Sequence, residues 1–348
     1  MATIKELAKQ SGVSVATVSR VLNGYPDVRE TTRKRVLAVA RELDYAPSAA
    51  AQSMVTKRTQ VIGVLLDTGA GHPDIHHPFF QEVLVGLKHG VGERGFDLLL
   101  FATDHPGNAF DSPSVLRRAK HHRVDGVVLM GVDPADGEVQ RLVRSGIPCV
   151  AVDLDLVGPR TGWVMSDNVE GGRLAVRYLH GLGHRRIATI HGPVATRPGV
   201  DRLVGYRLET QDLGLATPEG FEQAGDFYPE TGYAAMNALL ELEEPPTAVF
   251  AASDLMAIGA IRAAQERGLR VPDAISLVGF DDIQLAPLMH PSLTTVRQDK
   301  SGLGFAAADA LIRMVDHPGA SAPAHALPVS LVERESAAPR LDPDAGRG

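Results

Sequence analysis

The stretch TIKELAKQSGVSVATVSRVLNG, residues 3–24, contains two short amphipathic patterns separated by a glycine. Thr3 and Glu6 have the spacing of a capping box, which predicts the start of a helix. Gly12 is typical of the turn that ends such a helix, and Ser14 is a suitable N-cap for a second one. The stretch therefore predicts a helix, a tight turn and a second helix within about twenty residues.

The second of these helices carries the side chains that suit a DNA reader. Residues 14–20 read SVATVSR, so small and hydroxylated side chains are followed by Arg20 one turn on. A third helix, with Thr31 or Thr32 as its N-cap, is expected to run to about Leu43, because apolar residues recur there with helical spacing. Three short helices around one small core form a helix-turn-helix bundle, which binds DNA through its second helix. The alternative is a three-helix bundle with no role in DNA binding.

Charge is divided unevenly along the 348 residues. Residues 1–58 have a net charge of +5, and the remaining 290 residues have a net charge of −12. We call residues 1–58 the head and the remaining residues the body. A basic head followed by an acidic body is typical of a phosphate-binding module joined to a solvated domain. The chain shows no apolar run long enough to cross a bilayer and no export signal at its start, so we expect a cytoplasmic protein without membrane contact.

Few features of the sequence favour an enzyme. The single cysteine, Cys149, lies in an apolar run, which indicates a buried packing residue rather than a nucleophile. Residues 90–95 fit the pattern GxGxxG, but they end a helix and precede a strand, which is the reverse of a dinucleotide site. Three histidines lie close together in one loop: His72, His76 and His77. No metal-binding motif supports a metal site there, so we expect this loop to lie beside a bound small molecule instead. We expect no catalytic residue, no cofactor and no metal.

Beyond residue 60 short apolar runs alternate with helical stretches. The runs are VIGVLL (61–66), DLLLFAT (97–103), GVVLMGV (126–132), CVAVDL (149–154), RIATIHG (186–192), AVFAASD (248–254) and SLVGFDD (276–282). Such a pattern predicts an α/β fold of parallel sheets with helices on both faces. Ligands bind beyond the carboxyl ends of these strands, where the sequence places Asp67, Asp104, Asp153, Asp254 and Asp281. For Asp254 and for Asp282 a helix N-cap is the alternative role.

The chain resembles the LacI/GalR family of bacterial transcription regulators. The resemblance rests on VSVATVSRVLNG at 13–24 and YAPSAAAQSM at 45–54, and it continues to about residue 336. It implies the following organisation: a helix-turn-helix head at 1–47, a hinge helix and linker at 48–59, a body like the periplasmic sugar-binding proteins at 60–336, and a disordered tail at 337–348. The body would contain an N-subdomain of about 60–165 plus 293–322, and a C-subdomain of about 166–290 plus 323–336.

The resemblance also implies which residues of the head and hinge contact DNA. Val15 and Ala16 match positions that vary with operator sequence, and their apolar side chains can read only thymine methyl groups or groove shape. Arg20 matches an arginine that addresses a guanine edge, and Met54 stands where the family usually has a leucine that opens the central base step. The full expected set is Thr3, Ser14, Val15, Ala16, Thr17, Ser19, Arg20, Asn23, Thr32, Tyr45, Ala51 and Met54.

A second set of matches implies an effector pocket between the two subdomains. It comprises Phe79, Phe80, Arg202, Phe227, Ser253 and Asp281, and Asp153, which ends a predicted strand, is expected in the same pocket. Carboxylate and guanidinium groups address neighbouring hydroxyls, while aromatic rings cover the C–H face of a sugar, so a mono- or oligosaccharide is the expected effector. Ser253 stands where an asparagine is common, which gives this position a shorter reach.

These matches predict a homodimeric repressor of carbohydrate-use genes that a sugar releases from a pseudo-palindromic, double-stranded operator. A dimer is expected because the tail lacks the leucine heptads of tetrameric relatives. Three alternatives stay open. A purine-type corepressor would strengthen DNA binding instead, a sugar-binding protein would not control genes, and an enzyme on the same scaffold would need catalytic groups.

Overall fold

The computed structural model describes residues 2–22, 24–45, 58–66, 74–102, 114–320 and 324–340. The chain forms two compact units, Met1–Gln60 and Val61–Gly348, which correspond to the head and the body. The division lies one residue from the predicted start of the body. The predicted hinge helix and the base-step residue Met54 lie outside the described residues.

The head contains three helices, α1 (Ile4–Ser11), α2 (Val15–Leu22) and α3 (Glu30–Glu42). The predicted capping box is confirmed, because Thr3 accepts from the backbone of Glu6 and the Glu6 carboxylate accepts from the backbone of Thr3. Their core comprises Leu7, Ala8, Val18, Val21, Val36 and Ala40.

The predicted N-cap of the third helix is wrong by two or three residues. Arg29 is its N-cap and supplies no side-chain hydrogen bond, so neither Thr31 nor Thr32 caps it. The amide of Arg33 already donates to the carbonyl of Arg29 at 3.0 Å, which closes the first turn before either threonine could act as a cap. A threonine inside the first turn is therefore not evidence of a cap.

The described part of the body contains twelve strands and eight α-helices. In chain order they are β1 (Val61–Leu66), α4 (Pro78–Gly92), β2 (Asp97–Phe101), α5 (Val115–His121), β3 (Gly126–Met130), α6 (Gly137–Arg144), β4 (Cys149–Val152), β5 (Thr161–Ser166), α7 (Asn168–Gly181), β6 (Ile187–His191), α8 (Arg197–Asp212), β7 (Glu222–Ala224), α9 (Pro229–Leu240), β8 (Ala248–Ala251), α10 (Asp254–Glu266), β9 (Ser276–Asp281), β10 (Thr295–Gln298), α11 (Lys300–Asp316), β11 (Ala324–Leu327) and β12 (Val329–Val332). All seven predicted apolar runs contain strands.

The strands form two six-stranded sheets, in the orders β11-β5-β4-β3-β1-β2 and β12-β10-β9-β8-β6-β7. Every pairing is parallel except that of β10 with β12. Each sheet is covered on both faces: α4 and α11 share one core of the first sheet with its strands, and α5 and α6 contribute to the other. Helices α9 and α10 cover one face of the second sheet, and α7 and α8 cover the opposite face. The predicted α/β architecture is confirmed.

The chain passes between the two sheets three times, and two of the predicted subdomain boundaries are wrong. Strand β10 was expected in the N-subdomain with 293–322, but Thr295 pairs with Gly279 of β9 in the second sheet. Strand β11 was expected in the C-subdomain with 323–336, but Ala324 pairs with Trp163 of β5 in the first sheet. The crossings follow β5, β10 and β11, so three segments of the chain connect the subdomains.

The beginning of the predicted disordered tail is ordered. Ala337 is buried, the amide of Ala338 donates to the hydroxyl of Ser276 at 3.1 Å, and the amide of Arg340 donates to the carbonyl of Leu182 at 2.8 Å. Because these hydrogen bonds connect residues 337–340 to the second subdomain, the expectation of disorder is wrong for this segment. Residues 341–348 lie outside the described residues.

Helices α4 and α11 pack with their backbones in close approach. A Cβ atom built on Gly86 would lie 1.9 Å from the carbonyl oxygen of Ser301, and one on Gly304 would lie 2.0 Å from that of Val83. Backbone atoms cannot move aside as a flexible side chain can, so only glycine fits both positions. This contact joins the segment after the second crossing to the first subdomain.

Replacing Gly86 with alanine should lower the free energy of unfolding of the body by about 1–3 kcal/mol, because it overpacks the contact with Ser301. Gly92→Ala is the matched control, since nothing lies within 4 Å of the added Cβ and alanine favours the helix. Urea denaturation followed by the fluorescence of Trp163, the only tryptophan, measures both variants. Equal denaturation midpoints for the two variants would contradict the close approach.

Candidate functional sites

The head presents most of the predicted DNA-contacting residues on its surface. Val15 is 40% exposed, and Thr3, Ser14, Ala16 and Arg20 are also exposed. Four further residues of the set are half-buried: Thr17, Ser19, Thr32 and Tyr45. Three lie outside the described residues: Asn23, Ala51 and Met54. Contact with DNA stays a prediction for each of them.

The hydroxyl groups at the start of α2 are arranged by the helix itself. Ser14 Oγ accepts from the amide of Thr17 at 3.1 Å, which confirms the predicted N-cap. The same Oγ lies 2.9 Å from Thr17 Oγ1, so one of the two O–H groups donates to the other. The second O–H remains available to donate, and together with the positive end of the helix dipole it suits a phosphate.

The body contains a cavity of about 790 Å³ beyond the carboxyl ends of both sheets. Six of the seven predicted effector residues line it: Phe79, Phe80, Asp153, Arg202, Phe227 and Asp281. They come from the start of α4, the end of β4, α8, the segment after β7 and the end of β9. Residues from both subdomains therefore converge on one space, as the rule for ligand sites of parallel sheets predicts.

Arg202 lies at the base of this cavity with only 3% of its surface exposed. Its Nε donates to Asn168 Oδ1 at 2.8 Å, and its Nη1 donates to the carbonyl of Ala252 at 2.6 Å. Nη1 also lies 3.5 Å from Asp281 Oδ1, and the guanidinium covers the ring of Phe280 at 3.7 Å from the ring centroid. The guanidinium is therefore fixed before any ligand binds, although burial lowers its pKa.

Asp281 is held in place by groups on the following strand and helix. Gln298 of β10 donates from Nε2 to Asp281 Oδ1. Lys300, at the start of α11, donates from Nζ to the carbonyls of Asp281 and Asp282, and its Nζ lies 3.5 Å from Glu82 Oε2 on α4. The carboxylate is thus positioned by the segment that crosses between subdomains.

Asp153 contributes a buried carboxylate oxygen to the cavity wall. Its Oδ1 is buried and has no hydrogen-bond partner among the described residues. Burial raises the pKa of Asp153 to about 6, while the charge of Arg202 acts in the opposite direction. A buried acceptor without a donor is costly, so this carboxylate is suited to accept a hydrogen bond from a ligand.

Backbone strain is concentrated at the same strand ends. Asp153, Phe227 and Asp281 have positive φ angles of 55°, 74° and 118°, and Asp282 follows with 53°. Few side chains other than glycine adopt this region, and such conformations cost of order 1–3 kcal/mol each. Strain of this kind is typical of functional sites. Here three of the strained residues are predicted effector residues that line the cavity.

Ser253 does not line the described cavity, so its expected ligand contact is not supported. Its Oγ is fully buried, accepts from the amide of Met256 at 3.1 Å and lies 3.2 Å from the carbonyl of Phe227, to which it donates. Ser253 is the N-cap of α10, and this use explains why its short side chain does not reach the ligand space. It acts instead on the backbone of Phe227.

The N-cap alternative is wrong for both aspartates to which it was applied. Asp254 follows the cap and accepts from Thr295 Oγ1 at 2.5 Å and from the amide of Ile283 at 2.8 Å. Asp282 accepts from Arg297 and Arg334, each at 2.6 Å. These carboxylates connect β8, β9 and β10 rather than capping a helix. Asp67 and Asp104 lie outside the described residues.

His77 lines the cavity, although it was not among the predicted effector residues. It is the N-cap of α4, where its Nδ1 accepts from the amide of Phe79 at 3.3 Å. A neutral imidazole that accepts at Nδ1 carries its proton on Nε2, and this Nε2 is buried without a partner among the described residues. Burial lowers the pKa of His77 and so favours the neutral form. Its ring contacts those of Phe80 and Tyr228 at centroid distances of 5.7 and 5.4 Å.

Sequence reasoning missed several other lining residues that follow strands β3 and β6. They include Asp133, Asp136, Thr196 and Arg197. The rule that ligands bind at strand carboxyl ends was applied only to aspartates that directly end apolar runs, so loop residues a few positions later were not found. The lining contains six carboxylates and three arginines among the described residues, so the cavity is acidic.

The described residues give little support to metal or nucleophilic chemistry. They contain no group of three or more histidine, cysteine or acidic side chains that could hold a metal ion, and His72 lies outside them. Cys149 is fully buried, and burial raises the pKa of its thiol to about 12, so its thiol stays protonated. Among the described residues, no helix is long and apolar enough to span a membrane.

Two family models match the chain, in the same order as the two units. The model described as bacterial regulatory proteins, lacI family, matches residues 3–48, and the model of a periplasmic binding protein-like domain matches residues 176–337. The matches therefore cover the head and most of the second subdomain.

Similar proteins of known kind match almost the whole chain. The HTH-type transcriptional repressor PurR of Klebsiella pneumoniae (strain 342) is 37% identical over 344 residues, which are 97% of each chain. The ribose operon repressor of Escherichia coli (strain K12) is 37% identical over 340 residues, 97% of this chain and 100% of that one. A Lac repressor dimer bound to operator and the anti-inducer ONPF superposes with a TM-score of 0.81 at 29% identity, covering 97% of this chain and 99% of that one. A CelR–cellobiose complex superposes with a TM-score of 0.73 at 33% identity, covering 97% and 100%.

Asp153→Asn should stabilise the ligand-free protein at neutral pH, by at most about 3 kcal/mol. The raised pKa means that ionisation of Asp153 is disfavoured in the folded state, so the wild type loses stability as the pH rises from 3.8, the unfolded value, to about 6. The difference in melting temperature between wild type and variant should therefore be small at about pH 4 and largest above about pH 6. A difference that does not change with pH would contradict this account.

Proposed function

Because the chain belongs to the LacI family of bacterial regulatory proteins, we propose that it represses genes by binding operator DNA and that a sugar in the cavity releases it. The head supplies the exposed second helix of a helix-turn-helix bundle, and the body supplies a ligand cavity between two subdomains. The relatives that cover the whole chain are transcriptional repressors rather than enzymes. A protein that reads chromosomal DNA acts in the cytoplasm, which is the location we propose.

The observation that carries the sugar assignment is the presence, in one cavity wall, of a buried guanidinium and of a carboxylate oxygen that has no donor among the described residues. Arg202 can donate to a ligand oxygen, while Asp153 Oδ1 accepts from a ligand hydroxyl. Each hydroxyl of a sugar both donates and accepts, so neighbouring hydroxyls suit this wall. The rings of Phe79 and Phe227 supply apolar surface for the C–H face. The acidic lining disfavours a phosphorylated sugar, since like charges repel.

The comparisons agree with this class of ligand. One similar structure is a regulator in complex with cellobiose, and one similar protein is a ribose operon repressor. We therefore place the effector of this chain among unphosphorylated mono- and oligosaccharides. A cavity of about 790 Å³ is large enough for either.

We further propose that the active form is a homodimer on a pseudo-palindromic operator. The similar Lac repressor structure is a dimer bound to operator. Two-fold symmetry of a dimer with two helix-turn-helix heads requires two similar half-sites in the DNA. Apolar side chains at Val15 and Ala16 can contribute only methyl or shape contacts, so Arg20 would carry much of the direct base readout.

Release would follow from a change in the angle between the subdomains. Three crossings join them, and the wall residues from α4 and the end of β4 lie in the first subdomain. A ligand that contacts both walls favours the arrangement in which both reach it. The first subdomain is continuous with the linker to the head, so a shift of that subdomain changes the spacing of two heads in a dimer.

A second candidate keeps the class and reverses the sign of the response. Phe79, Phe80, Phe227 and Tyr228 line the cavity together, and four aromatic rings also suit a flat heteroaromatic ligand such as a purine. Such a corepressor would strengthen operator binding. The sign of the change in operator affinity on adding ligand separates the two candidates.

Arg20→Ala should weaken operator binding by about 1–3 kcal/mol if the arginine reads a guanine edge. The operator is first selected from a randomised duplex library with the full-length protein, and affinities are then measured by mobility shift at fixed salt. Binding to an unrelated duplex should fall much less. If wild-type protein selects no sequence at all, the proposed function is wrong.

Asp281→Asn should remove the response to effector while operator binding persists. Asparagine keeps an acceptor for Gln298 but loses the charge that pairs with Arg202, so the ligand site is altered with little change in shape. Asp212→Asn is the matched control, because that exposed carboxylate lies on the surface of α8 and pairs with Arg173. A screen of sugars by thermal shift identifies the ligand first, and mobility shift then measures release. A normal response from Asp281→Asn would show that the effector binds elsewhere.

A further inference from the structure

Arg20, on the exposed side of α2, is held by two residues of the segment that follows this helix. Its guanidinium forms an ion pair with the carboxylate of Asp27. It also lies over the ring of Tyr25, with Cζ 5.5 Å from the ring centroid. The side chains of Arg20 and Asp27 are 54% and 50% exposed, so DNA can reach both.

The segment that carries Tyr25 and Asp27 is itself anchored to the head. Arg33 of α3 donates to the carbonyl of Tyr25 at 2.5 Å and to that of Val21 at 3.4 Å. The amide of Tyr25 donates to the carbonyl of Arg20 at 3.0 Å, and Val28 packs against the head core. The segment therefore has contacts of its own that hold its position, and the side chain of Arg20 adjusts to it.

We propose that Asp27 is a positioning residue that directs Arg20 to a guanine edge and restrains it from binding phosphate. This proposal rests on the proposed function, because it requires a head that reads a specific operator. A guanidinium has five N–H donors in a planar fork, and a guanine needs two neighbouring donors for its O6 and N7. The Asp27 carboxylate accepts from Arg20 Nη2, and the Tyr25 ring covers one face of the guanidinium, which leaves a fixed edge of the fork for the base.

Two effects of the carboxylate act in opposite directions on affinity. An arginine without a partner binds any phosphate, so it strengthens binding to every sequence alike. Asp27 competes for the guanidinium and repels the DNA backbone, which weakens this general binding. The same carboxylate reduces the orientational freedom that Arg20 loses on meeting a base. Asp27 therefore lowers affinity for unrelated DNA and raises discrimination at one base pair.

The test compares Asp27→Asn with Glu42→Gln, an equal change of charge at an exposed position at the end of α3. Full-length proteins are titrated with the selected operator, with operators changed at single base pairs, and with an unrelated duplex. Both variants should bind the unrelated duplex up to about threefold more tightly, because each removes a negative charge from the head. Only Asp27→Asn should lose discrimination, by about fivefold, and only at the base pair that Arg20 reads. Asp27→Glu, which keeps a carboxylate, should retain most of the discrimination.

A double-mutant cycle shows whether Asp27 acts through the arginine. In an Arg20→Ala background, Asp27→Asn should leave discrimination unchanged, because no guanidinium remains to be positioned. An equal loss in both backgrounds, or an equal loss in Glu42→Gln, overturns the proposal. Circular dichroism melts confirm that each variant is folded, since the exposed pair contributes little to stability. Failure of the wild type to select any operator would instead contradict the proposed function.

Discussion

The cavity of the body depends on the burial of one cation, Arg202. A guanidinium removed from water is costly unless its donors and its charge are satisfied. Here Asn168, the carbonyl of Ala252 and the carboxylate of Asp281 satisfy it, and the ring of Phe280 covers its face. These partners come from α7, the end of β8 and the end of β9, so the cation fixes the relative positions of three elements. Loss of one partner of such a buried set typically costs 3–5 kcal/mol, which makes the geometry of the wall rigid.

Around this fixed cation the wall retains features that reduce stability. Asp153 has an acceptor without a donor, and it shares positive φ angles with Phe227 and Asp281. Groups that are strained or unsatisfied in the free protein gain more from a ligand than groups that are already paired. A ligand that binds only the folded protein also adds stability, which rises with the logarithm of the ligand concentration relative to its Kd. The same residues therefore lower the stability of the free protein and provide affinity for the effector.

Local chemistry allowed much of this structure to be predicted from the sequence. The capping box at Thr3 and the apolar runs of the strands depend on neighbouring residues, so their positions could be read directly. The sheet to which β10 and β11 belong could not, because an apolar pattern does not identify a strand's partner. Ser253 shows that residue type does not identify the partner of a side chain either. A serine suits a ligand contact, but this hydroxyl accepts from the backbone of α10 instead. Six of the seven effector positions nevertheless line the cavity, because parallel strands bring their carboxyl ends together.

The head and the cavity carry opposite charge, so each favours a different partner: DNA binds the head and the effector binds the cavity. The head has a net charge of +5, which favours a polyanion, and the remaining chain has a net charge of −12, with a cavity that is acidic among its described residues. The acidic cavity disfavours an anionic metabolite because like charges repel, whereas the basic head attracts DNA because opposite charges attract. Within the basic head, however, attraction to phosphate is independent of sequence. A carboxylate beside the reading arginine opposes that general attraction, so the position of Asp27 matters more for selectivity than its small effect on net charge.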